Sequence, residues 1–140
     1  MTTSFAQSHV ATPIPLAPST PSRAATVALW ATQIVVAAMF LFSGGLKLAG
    51  GAEMVGLFDA IGIGQWFRYL TGSIEVIAAL LLLTPRLALF GALLLIPTMI
   101  GAVVTHLFIV GGTPMPAIVL LVGSSAIAWG RRHQFTAWTR

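Results

Sequence analysis

Four long apolar runs, parted by short polar or glycine-rich breaks, dominate the chain. They cover Ala24–Leu46, Gln65–Thr84, Leu87–Val110 and Met115–Gly130. The hydrocarbon core of a bilayer is about 30 Å thick and needs roughly 20 helical residues to cross. Each run is thus a candidate span. The first carries no charge. The second holds Arg68 near its start and Glu75 near its middle. The third has Pro97 inside it and His106 near its end. The fourth is short and has to tilt little or thin the bilayer locally.

The breaks predict the connections. Pro85-Arg86 and Gly111-Gly112-Thr113-Pro114 are tight turns, so the last three spans should be antiparallel neighbours packed consecutively. The link from Lys47 to Gly64 is longer. Within it Met54, Leu57, Phe58 and Ile61 share one helical face, and Glu53, Gly56, Asp59 and Ala60 lie towards the other. An amphipathic helix of this kind lies in the membrane interface, apolar face inward. The predicted fold is an all-α membrane protein, a four-helix transmembrane bundle with an interfacial amphipathic helix between the first and second spans. The transmembrane domain covers residues 23–132. A Pro-, Ser- and Thr-rich disordered tail is expected over Met1–Ser22, and a short tail over residues 133–140. The N-terminal segment has no basic region ahead of a short apolar core, so it does not read as a signal peptide.

Composition fixes the class. Of 140 residues, 57% are hydrophobic and 7% charged, against about 25% charged in an ordinary soluble domain. A soluble chain this short has too little interior for so much apolar surface. That excludes a soluble globular domain, a disordered chain and a nucleic-acid-binding module. The net charge of +4 comes from cations set between apolar runs, where they fix orientation and meet lipid heads. With a cytoplasmic N-terminus, Arg23, Arg86, Arg131, Arg132 and Arg140 fall inside, and Lys47 and Arg68 outside. The imbalance predicts both termini on the cytoplasmic side. The absence of cysteine excludes disulfides, thiolate metal sites and dithiol chemistry.

Ionisable groups inside a bilayer cost about 2.5–3.5 kcal/mol each on insertion scales and invite a functional reading. Lys47, Arg68, Glu75 and His106 converge on the outer side. Glu75 should lie roughly 13 Å below Trp66 at 1.5 Å per residue. Helical side chains lean towards their own N-terminus. Lys47, on a helix running outward, therefore leans into the membrane, and Glu75, on one running inward, leans up to meet it. Arg68 and Glu75 are seven apart on nearly one face, with Thr71 and Gly72 between them. The prediction is a buried polar cluster in the outer leaflet centred on Glu75, with Lys47 as the first choice of countercharge and Arg68 as the second choice. Arg68 leans up and can snorkel to the lipid heads. An unpaired carboxylate at that depth would take a proton. Glu75, Lys47, His106, Arg68 and Thr71 are the candidate ligand- or partner-binding residues.

Structural readings stand beside the functional one. The Glu75–Lys47 pair can simply lock two helices. His106 can be an interfacial hydrogen-bonding residue, and Lys47 and Arg68 interface anchors. Trp66, Tyr69 and Trp129 suit aromatic belts. His133 belongs to the opposite side and His9 to the tail, so no bis-histidine haem is expected, nor a zinc site. The glycines between Gly44 and Gly51 lack phosphate-loop spacing. Gly44, Gly72, Gly91 and Gly101 read as points of close helix contact. Pro97 should kink the third span, opening a small cavity or only curving the helix. No catalytic residue set is apparent.

Several short motifs, in order, resemble the DoxX and DoxX-like family of small bacterial membrane proteins. They are Phe42-Ser43-Gly44-Gly45-Leu46-Lys47-Leu48, the loop ending in Gly62-Ile63-Gly64, Thr71-Gly72-Ser73-Ile74-Glu75-Val76, the leucine run to Pro85-Arg86, and Val104-Thr105-His106-Leu107. The resemblance covers about Leu29–Arg132. It places the family's Gly-x-x-Lys turn on Gly44 and Lys47 and its Gly-x-x-Glu step on Gly72 and Glu75. It implies four spans with both termini inside. It also implies a non-catalytic accessory role in a quinone-linked respiratory or redox-stress system, with a quinone as the one cofactor to consider and a redox enzyme as partner. The rival functions are a small-solute carrier working as a homo-oligomer and an assembly factor for a membrane complex.

Overall fold

The computed structural model describes residues 22–134, which are helical throughout apart from turns, with no strand among them. The elements are α1 (Arg23–Ala49), α2 (Ala52–Ile61), α3 (Gln65–Leu83), α4 (Ala88–Thr105) and α5 (Met115–Arg131). A π-helical turn, His106–Val110, continues α4. The N-terminal tail lies outside the described residues except Ser22, which caps α1: its Oγ accepts a hydrogen bond from the Ala25 amide at 3.2 Å. The C-terminal tail lies outside from residue 135 onward. Gln134 is described and buried, its side chain accepting from the Leu89 amide and donating to the Pro85 carbonyl.

Among the described residues, three helices are long and apolar enough to cross a membrane: Arg23–Ala49, Gln65–Leu83 and Ala88–Val110. The fourth apolar helix, Met115–Arg131, is shorter, at 17 residues. Polarity is inverted relative to a soluble protein. Phe42, Phe108, Trp129 and Val122 are exposed, each above 60%, while Gln33, Arg68, Glu75 and Ser124 are buried. Contiguous exposed apolar surface on this scale marks a lipid-facing exterior.

The helices alternate in direction. α1 packs chiefly on α3, α3 on α4 and α4 on α5, and α5 returns more lightly to α1. The tight turns thus produce the consecutive packing of α3, α4 and α5 expected of them. The core between the helices is built from Ala37, Phe40, Ala78, Ala79, Leu82, Ala92, Leu95 and Ile127. Small residues let the backbones come close, and dispersion contacts then replace the missing hydrophobic drive within lipid. At the α1–α3 crossing, a Cβ on Gly44 would sit 2.9 Å from the Gly72 carbonyl oxygen. At the α3–α4 crossing, a Cβ on Gly91 would sit 2.6 Å from the Ala78 carbonyl oxygen. Gly101 departs from expectation. A Cβ there meets nothing within 4 Å, because Gly101 faces a cavity and not a neighbouring helix.

The amphipathic link folds as α2 in the expected register. Phe58 is buried and Met54, Leu57 and Ile61 partly so, while Glu53, Gly56, Asp59 and Ala60 are exposed. Its apolar face lies on α3 and on the π-helical turn. Phe58 meets Phe67 edge to face, ring centroids 5.9 Å apart. Gly50 (φ 74°) and Gly62 (φ 78°) end α1 and α2 in the left-handed conformation that glycine adopts without strain.

Candidate functional site: a buried ion pair in a cavity wall

The site forms where the C-terminal end of α1, the N-terminal half of α3 and the C-terminal end of α4 meet under α2. Lys47 is in the last turn of α1, where a cation also complements the helix dipole. Its Nζ lies 2.9 Å from Oε2 of Glu75 and donates to Ser43 Oγ at 2.7 Å. Ser43 precedes Lys47 by four residues and so lies on the same face. Glu75 is 2% exposed and the Lys47 side chain 15%. The close contact of Gly44 with Gly72 explains the reach. It draws the two helices together one turn from the pair, so a lysine side chain can span the gap.

Lys47, and not Arg68, pairs with Glu75, and Arg68 does not snorkel. It is 3% exposed. Its Nη1 donates to the Lys47 carbonyl, one of the orphan acceptors at the end of α1. Its Nε donates to Gln65 Oε1 at 2.7 Å. The guanidinium also sits over the Tyr69 ring, 4.2 Å from its centroid. A fork of fixed donors satisfies several acceptors at once, which outweighs extension towards solvent. The chain of bonds continues into α2: Gln65 Nε2 donates to Val55 O at 2.9 Å and to Asp59 Oδ1 at 2.8 Å. Gly50 leaves room for this arrangement, since a Cβ there would lie 3.2 Å from Arg68 Nη1.

Beside the ion pair is a cavity of about 530 Å³. Lys47, Ser43, Glu75 and Thr71 line it from α1 and α3, and His106 and Thr105 from α4 and its π-helical turn. The rest of the wall is apolar, including Leu57, Phe58 and Ile61 of α2, Leu94 and Pro97 of α4, and Leu120 of α5. Pro97 therefore borders a cavity within a helix that continues past it. Its missing amide and ring bulk loosen the ladder on that side. Leu70, Leu94, Pro97 and Gly101 are wall residues that are themselves exposed, and they mark a sideways opening. Thr71 Oγ1 donates into its own helix, to Phe67 O at 2.9 Å. His106 Nδ1 bonds the Ala102 carbonyl at 2.9 Å. Neither Thr71 nor His106 bonds the ion pair. Both share its cavity, which Arg68 does not line.

Sequence reasoning passed over three polar residues. Ser43 completes the Lys47 contacts, and its i, i+4 spacing was the available signal. Gln65 couples Arg68 to α2. Gln33 is buried at the opposite end of the helices. It accepts from Arg131 Nε at 2.9 Å and donates to the Leu82 carbonyl, and Arg131 lies over the Trp30 ring at 4.9 Å. An amide amid the apolar residues of α1 was the signal there.

Apolar exteriors, small-residue helix crossings and an internal charge pair beside a sideways-opening cavity define a small helical integral membrane protein. The DoxX-like family model matches residues 31–129, and the chain belongs to that family. No curated protein and no solved structure matches the chain.

Proposed function

We propose that this DoxX-like protein is a binding component of the bacterial inner membrane, holding a lipophilic small molecule with a polar head. In this reading α5 completes four spans and both termini are cytoplasmic. The Lys47–Glu75 end then lies in the outer leaflet. The protein serves a quinone-linked respiratory or redox-stress system as a non-catalytic accessory. The observation that carries the proposal is the Lys47–Glu75 pair in the wall of an otherwise apolar cavity of about 530 Å³. That volume falls within the ~300–1,000 Å³ of small-molecule sites, which combine apolar walls with a few polar groups. The wall fits a quinone in kind: apolar side chains for ring and tail, and a Lys47 N–H not used by Ser43 or Glu75 for a carbonyl oxygen.

Purification in mild detergent, followed by extraction and mass spectrometry of bound lipids, tests the proposal. A quinone enriched over the surrounding membrane is the expected result. Its consistent absence across preparations would overturn the quinone-linked reading. A second reading, assembly or structural support, is favoured by the Gly44–Gly72 contact, which makes the ion pair a lock on helix register. Under that reading Glu75→Gln, if it folds, restores function to a deletion strain.

A further inference from the structure

The hydrogen-bonding groups in the cavity wall are unevenly used, and the unused ones specify a head group. Glu75 accepts at Oε2 from Lys47, and Oε1 carries no hydrogen bond from any described residue. Glu75 lines the cavity. A backbone carbonyl can only accept, so the His106 Nδ1–Ala102 O contact requires the proton on Nδ1. In the neutral ring Nε2 is then an acceptor, and no described residue donates to it. Thr71 spends its hydroxyl proton on its own helix, to Phe67 O and Arg68 O, and keeps its lone pairs. Thr98 does the same, donating to Leu94 O. Acceptors on Glu75, Thr71, Thr98 and His106 thus border the cavity without a donor among the described residues, and the donors that remain are a Lys47 N–H and the Ser43 and Thr105 hydroxyls.

A carbonyl head uses the donors and strands the acceptors in an apolar site, which is costly. An ether or a hydrocarbon fares no better. A hydroxyl donates and accepts at once, and so satisfies both sides of the wall. We infer that the cavity takes a lipophile whose head carries hydroxyl groups, in the setting proposed above a reduced quinone in preference to its oxidised form. The inference rests on reading the cavity as a lipophile site and deepens it by naming the head. It involves binding alone, with no electron transfer within the protein.

The test is anaerobic calorimetric titration of the detergent-solubilised full chain with three probes of equal tail length. These are a hexyl benzoquinol, the matching benzoquinone and the quinol's dimethyl ether. The expected result is roughly tenfold tighter binding of the quinol than of either other probe, the scale of one buried hydrogen bond made or left unmade. His106→Leu should narrow that preference, with helix content checked by circular dichroism. Thr71→Val, nearly isosteric and exposed to little folding risk, should narrow it independently. Equal binding of all three probes, or tighter binding of the quinone, overturns this inference and leaves the lipophile site standing. Failure of all three to bind overturns both.

Discussion

Gly44 and Gly72 bring α1 and α3 so close that a Cβ on Gly44 would lie 2.9 Å from the Gly72 carbonyl oxygen. The reverse holds too, since a Cβ on Gly72 would lie 3.0 Å from the Lys47 Cβ. The same glycines that set the crossing therefore set the span of the ion pair. Gly44→Ala should cost about 1–3 kcal/mol, the usual penalty for overpacking a rigid contact. Gly45→Ala is the matched control, because a Cβ at Gly45 meets nothing within 4 Å. It should be neutral or stabilising by up to about 1 kcal/mol through helix propensity. Reversible unfolding in mixed detergent measures both. Equal effects from the two substitutions would disprove the role given to the crossing.

The ion pair itself should be asymmetric in its response. Glu75 is 2% exposed and the Lys47 side chain 15%. Lys47→Met strands the more deeply buried charge, and breaking a buried pair on one side typically costs about 3–5 kcal/mol. Glu75→Gln leaves the less buried Lys47, which keeps Ser43 as an acceptor, and should cost less. The double variant removes both charges and should recover most of the loss. A double-mutant cycle with no coupling between positions 47 and 75 would contradict this account.

The helix pattern, the register of α2 and the convergence of Lys47 with Glu75 were legible in the sequence because each follows from local geometry. Hydrophobic runs set the helices, a 3.6-residue period set the α2 face, and side-chain lean set the pair. Arg68 was not legible. Its partners are a backbone carbonyl on α1 and the side chain of Gln65, and nothing in the sequence says which carbonyl will need a donor. Gly101 misled for a related reason. Glycine in a span is equally consistent with a close neighbour and with an empty space, and only packing distinguishes them. Gln33 was overlooked because an uncharged residue in an apolar run does not register as a charge.

Gln33 should prove as important to stability as a charged residue. Its amide bridges three elements, taking a hydrogen bond from Arg131 on α5 and giving one to Leu82 O on α3. Gln33→Leu keeps the volume approximately but leaves Arg131 Nε and the Leu82 carbonyl unsatisfied. Each buried unsatisfied group costs about 1–3 kcal/mol. The expected loss is therefore at least 1 kcal/mol, read as a lowered unfolding midpoint in mixed detergent. The site lies at the other end of α1, so probe binding at the Lys47–Glu75 cavity should persist in the folded variant. Loss of binding without loss of stability would show that the two ends are coupled in a way the packing does not account for.

Gly101→Leu should separate folding from binding most cleanly. Gly101 is part of the cavity wall, and a Cβ there meets nothing within 4 Å. A leucine can thus enter the cavity without pushing helices apart. Replacing a mid-helix glycine also gains up to about 1 kcal/mol in helix propensity. The variant should be at least as stable as the parent. Binding of a hexyl benzoquinol should nevertheless fall by at least about tenfold, because the space it needs is filled and displacing a packed side chain costs on the order of 1–3 kcal/mol. Gly91→Leu provides the contrast. Its Cβ would lie 2.6 Å from Ala78 O and 2.8 Å from Leu82 N, so that variant should lose stability outright. Thermal unfolding and calorimetric titration of both variants decide the matter. If Gly101→Leu binds the probe as tightly as the parent, the ligand does not occupy this cavity.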